Sequence, residues 1–353
     1  MPESGNLLPE VTFLIEAAAS APSADNSQPW CFDWNDNTLT GRVYRRGGFP
    51  SDYHATTLAL GAATENLYWA FELLGLDVSS WFFGPPGPDG VFAQGQVHAT
   101  EQAKITRLPE KPIWKRRHTN RLPYRLEIEP VASLGLGTCQ VGEVTAMAIE
   151  GPGIKSVADW VKQASEIRFQ TREVNEWFAK SLRYGDSQED MIDGLHVNTL
   201  GLPPGGVGLL KLMSSWKRMQ FLNGIKAYKL FATIEAVNFQ KAPLAIAIVG
   251  PSDRTASFDA GRCLQQVWLK VTELGLSAHP YYVVADMLNR LNLGRVPQQC
   301  MKQALSLKEH VLAELGHDQT LHCLLRVGKP VGNIQFSGRL PLNQIMCNAS
   351  HIG

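Results

Sequence analysis

Ala21-Pro22-Ser23-Ala24-Asp25-Asn26-Ser27-Gln28-Pro29-Trp30 decides how the rest of the chain is read. It follows an Ala-rich apolar run of helical character, Val11 to Ala19. It precedes Cys31-Phe32-Asp33-Trp34, whose alternation predicts a strand. Pro22 ends the helix and biases Ala21 away from helical backbone. Between the prolines, Ser23, Asn26, Ser27 and Gln28 offer hydroxyls, amides and backbone N–H groups, a donor-rich turn suited to a planar polar ligand. By composition alone this is an ordinary helix-to-strand loop. The length of the pattern argues for more.

Outward from the turn, Leu39–Tyr44 predicts a second strand, joined to the first through the turn residues Asn35-Asp36-Asn37. A long helix is expected from Ala55 to Leu74, with Gly75 as its cap and a middle of small residues, Ala59, Gly61, Ala62 and Ala63. Asp77–Phe83, Val91–Ala99 and Val144–Ile149 are strand candidates, and Lys104–Lys111 reads as a connector. Residues from Ile154 to about Arg183 and Met213–Val237 are helical, with an irregular Gly/Pro-rich stretch at Asp193–Gly208 that contains no phosphate-loop GK[ST]. Leu244–Val249 is a continuous apolar run, a buried strand. Phe258–Leu274 predicts a helix capped by Gly275, Ser277–Val284 a strand, Asp286–Leu315 mostly helix and Leu321–Val327 a last strand.

Lys115-Arg116-Arg117-His118-Thr119-Asn120-Arg121 carries four Lys and Arg in seven residues. It is either a solvated basic linker or a phosphate-binding arm, since guanidinium forks beside a hydroxyl suit a phosphate dianion. The helices at 55–74 and 258–274 also share a signature. Gly61…Leu74-Gly75-Leu76 matches Gly261…Leu274-Gly275-Leu276 at a constant offset, and Asn66-Leu67-Tyr68 stands opposite Gln266-Val267-Trp268. The common element order points to an internal duplication.

The 353 residues allow two average domains or one large one. Lys+Arg and Asp+Glu both number 33, so no overall basic excess points to nucleic acid or to an anionic membrane. Met1–Pro9 has no basic, apolar leader character and no stretch has the roughly 20 apolar residues of a membrane span, so a cytoplasmic protein is expected. Cys31, Cys139, Cys263, Cys300, Cys323 and Cys347 form no CxxC pair and read as reduced, mostly buried thiols. The nine His show no metal-ligand spacing, so no metal is expected.

Ala-Pro-Ser-x-x-Asn-x-Gln-Pro-Trp resembles the loop after the second helix of the FMN-dependent nitroreductase family, which lies against a flavin bound mainly by the partner subunit. Arg117-His118-Thr119-Asn120-Arg121, followed by Leu122-Pro123-Tyr124, resembles the family's Arg-x-Ser/Thr-x-Arg flavin-binding segment, displaced here from the N-terminus to mid-chain. Leu274-Gly275-Leu276-Ser277-Ala278-His279-Pro280 is similar to the turn whose backbone N–H faces flavin N5. Leu324–Pro330 resembles the family's late strand. Arg339-Leu340-Pro341-Leu342 looks like the basic tail that contacts the flavin phosphate. The resemblance covers most of residues 11–125 and 243–342 and extends to the fused, single-site subgroup related to the dormancy-associated proteins of mycobacteria. Residues from about 150 to 242 carry no family motif.

The resemblance implies an α+β fold, a mixed and mainly antiparallel sheet wrapped by helices, in two pseudo-symmetric halves that mimic the family dimer. The halves would be 1–110 and 111–353, the second with a helical insertion or lid at about 155–242. It implies one FMN site assembled from both halves, in a monomeric pseudo-dimer or a higher oligomer. Arg117, His118, Thr119, Arg121 and Arg339 would hold phosphate and pyrimidine polar atoms. Pro22, Ser23, Ala24, Asn26 and Gln28 would line the opposite side, with the backbone of Ala278 and His279 near N5. The implied activity is two-electron transfer from NAD(P)H through flavin N5 to a nitroaromatic, quinone or other small acceptor, with no catalytic side chain required. His279 is either a proton donor or a turn residue before Pro280. The alternative is a flavin-binding or sequestering protein with little turnover. The family has no Rossmann fingerprint, so NADH and NADPH both stay open.

Overall fold

The structure is a computed structural model that describes residues 7–46, 53–99, 108–129, 134–187, 191–332 and 334–347. The first half runs α1 (Pro9–Ala19), β1 (Trp30–Asn35), β2 (Thr38–Val43), α2 (His54–Leu74), β3 (Phe82–Phe83) and β4 (Val91–Gln96). Its strands form an antiparallel sheet in the order β1-β2-β4-β3. Asp36 and Asn37 take left-handed backbone, φ 47° and 60°, as a tight hairpin between right-twisted strands requires. The strand expected from Asp77 shrinks to Phe82–Phe83, because Asp77 accepts a hydrogen bond from the Ser79 amide and closes a turn instead.

The second half runs β5 (Tyr124–Arg125), β6 (Gln140–Val141), β7 (Val144–Ile149), α3 (Pro152–Phe169), α4 (Arg172–Ser181), β8 (Leu182–Arg183) and β9 (Leu195–His196). It continues through α5 (Gly206–Met213), α6 (Trp216–Gly224), α7 (Ala227–Gln240), β10 (Leu244–Gly250), α8 (Arg254–Glu273), β11 (Ser277–Tyr281), α9 (Val283–Asn292), α10 (Met301–Leu315) and β12 (Thr320–Pro330). The antiparallel order is β11-β12-β10-β7-β6, with β5 added to β12 and with β8 and β9 a separate parallel pair. Leu244–Gly250 is buried throughout. Ile246 and Ile248 face α8, while Ala245, Ala247 and Val249 face α3 and α10, hence the unbroken apolar run. The class is α+β and antiparallel, as expected. The sheet is not single: each half keeps its own, and α2 and α8 pack between the two.

The two central helices cross at their glycines. A Cβ on Gly61 would lie 2.0 Å from the Phe258 carbonyl oxygen, and one on Gly261 would lie 2.0 Å from that of Leu58. The contact is reciprocal across the offset seen in the sequence. So are the side chains beside it: Gln265 donates to Asn66 at 2.7 Å, and Gln266 bonds Glu65.

The C-terminal segment returns over the first half. Met346 bridges Phe32, and the Cys347 amide donates to the Phe32 carbonyl at 2.9 Å. This return joins Cys31 to Cys347 in a disulfide, so the expectation of six reduced thiols is corrected; Cys139, Cys263, Cys300 and Cys323 are free. A sequence separation of 316 residues left no local spacing to reveal the pair. Among the described residues no helix is long and apolar enough to cross a membrane.

Candidate functional site

A cavity of about 540 Å³ opens between the halves, within the range of about 300–1,000 Å³ that small-molecule sites take. The turn after α1, the arm before β5, the β11–α9 connection and the C-terminal segment all reach it. Pro22, Ser23, Ala24, Asn26, Arg117, His118, Thr119, Arg121, His279 and Arg339 line it. Residues 317 positions apart in the chain are thus brought to one place.

The turn is held in an uncommon conformation. Asp25, Asn26 and Gln28 have φ of 50°, 55° and 48°, a region costly for residues with a side chain. Its geometry is fixed from outside. Gln28 is fully buried: its amide nitrogen donates to the Ile192 carbonyl at 2.8 Å, and its amide oxygen accepts from the Leu340 amide at 2.9 Å. Gln28 therefore braces the loop and does not line the cavity. Ser23 Oγ accepts from the Gln28 amide at 2.9 Å, which leaves its own hydrogen free to donate.

The arm is extended against β11. Thr119 bridges Ala278, and the Asn120 amide donates to the Ala278 carbonyl at 2.9 Å. Ala278 is buried beneath the arm and does not line the cavity. Arg117, Thr119 and Arg121 share the cavity, whereas Arg116 stays outside it and exposed. His118 bonds the Ser277 hydroxyl at 2.9 Å and the Arg116 carbonyl at 3.1 Å.

Arg117 and Arg339 converge on one carbonyl. Arg117 Nη2 donates to Ser20 O at 3.1 Å, and Arg339 Nη2 donates to the same oxygen at 3.2 Å. Arg117 lies over the Trp268 ring at 4.5 Å, and Arg339 also donates to Asn26 Oδ1 at 3.0 Å. Among the described residues neither guanidinium has a carboxylate within 4.0 Å, and the Nε of each is buried without a partner. Burial, with Arg339 nearby, pushes Arg117 well below the usual arginine value; burial brings Arg339 down to about 10. Burial also lowers Arg121, which Asp25 partly offsets. Arg339 also donates to the Ser337, Gly338 and Ala21 carbonyls, whereas Arg117 has one hydrogen bond and the Trp268 face, so its buried charge is the poorly compensated one and an anion would relieve it.

Other lining groups escaped the sequence reading. Asp25, skipped as a variable position, accepts a hydrogen bond from the Ser181 hydroxyl at 3.0 Å, and burial raises its carboxyl pKa. Ala55, Ala59 and Ala62 show that the small residues of α2 serve the cavity as well as the helix crossing. Phe169, Trp177, Phe178, Leu202, Leu210 and Met213 also line the cavity, from a stretch that carries no motif. Trp177 belongs to α4, which has no buried residue and is tied down at several points: Glu173 pairs with Arg290 at 2.6 Å, Asn175 donates to the Met213 carbonyl at 2.7 Å, and Arg290 also bonds Asp286 and Tyr53. Spacing gives these residues no signal, because the stretch that holds them has no motif to index them.

Two histidines stand behind the wall. Tyr282 lines the cavity and bonds His54 Nδ1 at 2.8 Å; His54 Nε2 meets His322 Nδ1 at 3.0 Å; His322 Nε2 meets the Pro251 carbonyl at 2.9 Å. The carbonyl can only accept, so His322 carries its proton on Nε2, His54 donates to His322, and Tyr282 donates to His54. Burial, with His322 adjacent, lowers His54 to about 3, and burial lowers His322 to about 4. Burial next to Arg326 and Arg121 likewise keeps His279 neutral.

No protein-family model matches the chain, and no curated protein matches it. Among solved structures, the chain is similar to the FMN-dependent nitroreductase NfnB from Mycobacterium smegmatis in complex with NADPH, with 14% identity and a TM-score of 0.38 over 67% of this chain and 96% of that one. It is similar to a nitroreductase with bound FMN from Bacteroides fragilis, with 11% identity and a TM-score of 0.35 over 67% and 96%. It is also similar to a BluB-like flavoprotein from Clostridium difficile, with 13% identity and a TM-score of 0.36 over 68% and 98%.

Proposed function

We propose that the chain is an FMN-binding oxidoreductase of nitroreductase type, passing two electrons from NADH or NADPH to a small acceptor such as a nitroaromatic or a quinone. The observation that carries this reading is the convergence of Arg117 and Arg339, buried without a carboxylate, in a cavity shared with Ser23 and Thr119. A phosphate dianion would supply the missing charge, held by the guanidinium groups and the Thr119 hydroxyl that line the cavity. Bound FMN would bring a two-electron centre that takes hydride from a nicotinamide and yields it to an acceptor. Arg117, Arg339 and Thr119 would hold its phosphate. Leu58, Leu264 and Trp268 add apolar lining, and Ala59 and Ala62 small lining, beside these polar groups. Neutral His279 offers a hydrogen bond and not a charge.

The reciprocal glycine crossing and the paired Asn66–Gln265 and Glu65–Gln266 contacts support a fused duplication, with halves near 1–110 and 111–353. Only one arm and one Ser/Asn/Gln turn are present, so one FMN per chain is expected. The insertion at about 155–242 is read as a cover. Its aromatic wall also favours a second reading, a flavin store with little turnover.

The test is direct. The purified chain should carry visible flavin absorbance and release about one FMN per chain on denaturation. NADH or NADPH should bleach it, and an added quinone or nitroaromatic should restore the colour. Bleaching without reoxidation by acceptors selects the store. A colourless chain that takes up no added FMN refutes both readings.

A further inference from the structure

Helices α5, α6 and α7 present an apolar face that no described residue covers. Phe221, Ile225 and Leu230 are 72%, 66% and 61% exposed. On α7, Leu230, Ile234 and Val237 recur at spacings of four and three and form one stripe, while Ala232, Ala236 and Phe239 on the other side are buried. Leu209 and Leu212 of α5 are exposed as well.

Along these three helices the charge is one-sided. From Gly206 to Lys241 the chain has Lys211, Lys217, Arg218, Lys226, Lys229 and Lys241, all exposed. The one acidic residue in that span, Glu235, is turned inward and paired with Arg168. Lys226 and Lys241 stand one helical turn beyond either end of the 230–237 stripe. Over the whole chain acids and bases balance at 33 each, so the basic excess is local.

We propose that this face docks on an anionic lipid surface, with α6 and α7 lying in the interface and not crossing it. Exposed apolar side chains with exposed lysines on the same helices fit that partner: the apolar groups enter the headgroup boundary and the cations neutralise lipid phosphates. Docking on a second copy of the same face would set lysine against lysine. A nucleic acid would satisfy the cations but leave the apolar stripe in water. The docking face is also the back of the cavity wall, because Leu210 and Met213 of α5 line the cavity from its other side. Nothing in this proposal depends on the cofactor.

The experiment is co-sedimentation of the full chain with vesicles of phosphatidylcholine alone or mixed with phosphatidylglycerol, at low and high salt. Binding is expected to the mixed vesicles, weakening as salt rises, and little to phosphatidylcholine alone. Removing two charges with Lys226→Gln and Lys229→Gln should weaken binding roughly 25-fold at low salt. Leu230→Ser with Ile234→Ser should weaken it at least about tenfold. All four positions are exposed, and circular dichroism confirms that the variants stay folded. Absence of binding to the mixed vesicles overturns the proposal. So does a dimer in solution that Leu230→Ser with Ile234→Ser converts to monomer, which would make the face an interface between copies.

Discussion

Replacing Arg117 by methionine should weaken FMN binding and, at the same time, leave the ligand-free protein equally or more stable. The usual mutation of a buried residue does the reverse. Arg117 is 5% exposed, and its compensations in the free chain are few: one hydrogen bond to Ser20 O at 3.1 Å and the face of Trp268 at 4.5 Å. The hydrogen bond contributes about 1.5–3 kcal/mol and the ring about 0.5–2 kcal/mol. Against them stand a desolvation cost of several kcal/mol and repulsion from Arg339 over the same carbonyl. Methionine keeps the apolar stem on Trp268 and removes the charge, a kind of exchange that is neutral or stabilising by about 1–4 kcal/mol elsewhere. With unfolding entropy scaling to 353 residues, a gain of 1–2 kcal/mol is a rise of ~1–3 °C in midpoint.

The bound state moves the other way. Loss of a charge-assisted bond to phosphate costs about 1.5–3 kcal/mol, or roughly 10- to 150-fold in Kd. FMN-induced stabilisation falls by the same amount at fixed ligand. Thermal unfolding with and without FMN, beside calorimetric titration, reads both quantities. Arg116→Met is the control, since Arg116 is exposed and lies outside the cavity. If Arg117→Met destabilises the free chain while its FMN affinity equals that of Arg116→Met, the arm is a scaffold element and the anion site is misassigned.

Three other outcomes are expected. Glu173→Gln breaks the 2.6 Å pair that ties α4 to Arg290; hydrogen exchange in α4 should quicken about fivefold, and bulky nitroaromatics should react faster, whereas unchanged exchange means α4 is fixed by other contacts. Gly261→Ala drives a Cβ to 2.0 Å from backbone and should cost about 1–3 kcal/mol in chemical denaturation, while Gly208→Ala, with open space around it, should cost nothing; equal effects would deny the close helix crossing. Burial holds His54 at about 3 and His322 at about 4 in the folded chain against 6.5 unfolded, so their contribution is complete above pH 6.5 and is lost as pH falls, down to about 4 for His322 and about 3 for His54. Stability should drop by at most about 1.4 kcal/mol per pH unit per histidine, and a slope that His322→Gln leaves untouched would assign the loss to other groups.

The elements that a single local rule controls were legible in the chain. Pro22, Gly75 and Gly275 mark helix ends, the alternation after Trp30 marks β1, and the doubly covered Leu244–Gly250 reads as a buried strand because both its faces are packed. The ten predicted residues that line the cavity came from two short motifs, one turn residue and the tail. Gln28 and Ala278 carry motif positions too, yet they lie one layer behind the cavity wall, since a motif fixes residue types and spacing and not which side chains face a cavity. Trp177, Phe178 and Asp25 were illegible for a different reason: they meet the site through tertiary packing that no spacing in the insertion or turn encodes. The same limit applies to charge. A chain with 33 acids and 33 bases reads as neutral and indifferent to anionic surfaces, but the field a surface feels is set within about one Debye length, roughly 8–10 Å. At that range the lysines of α6 and α7 are weighed only against the carboxylates of the helices packed beside them, such as Glu166 and Glu173, and not against those of the first half. A balance taken over the whole chain therefore says little about what one face will bind, whereas the fold, by gathering α5, α6 and α7 on one side, sets which charges act together.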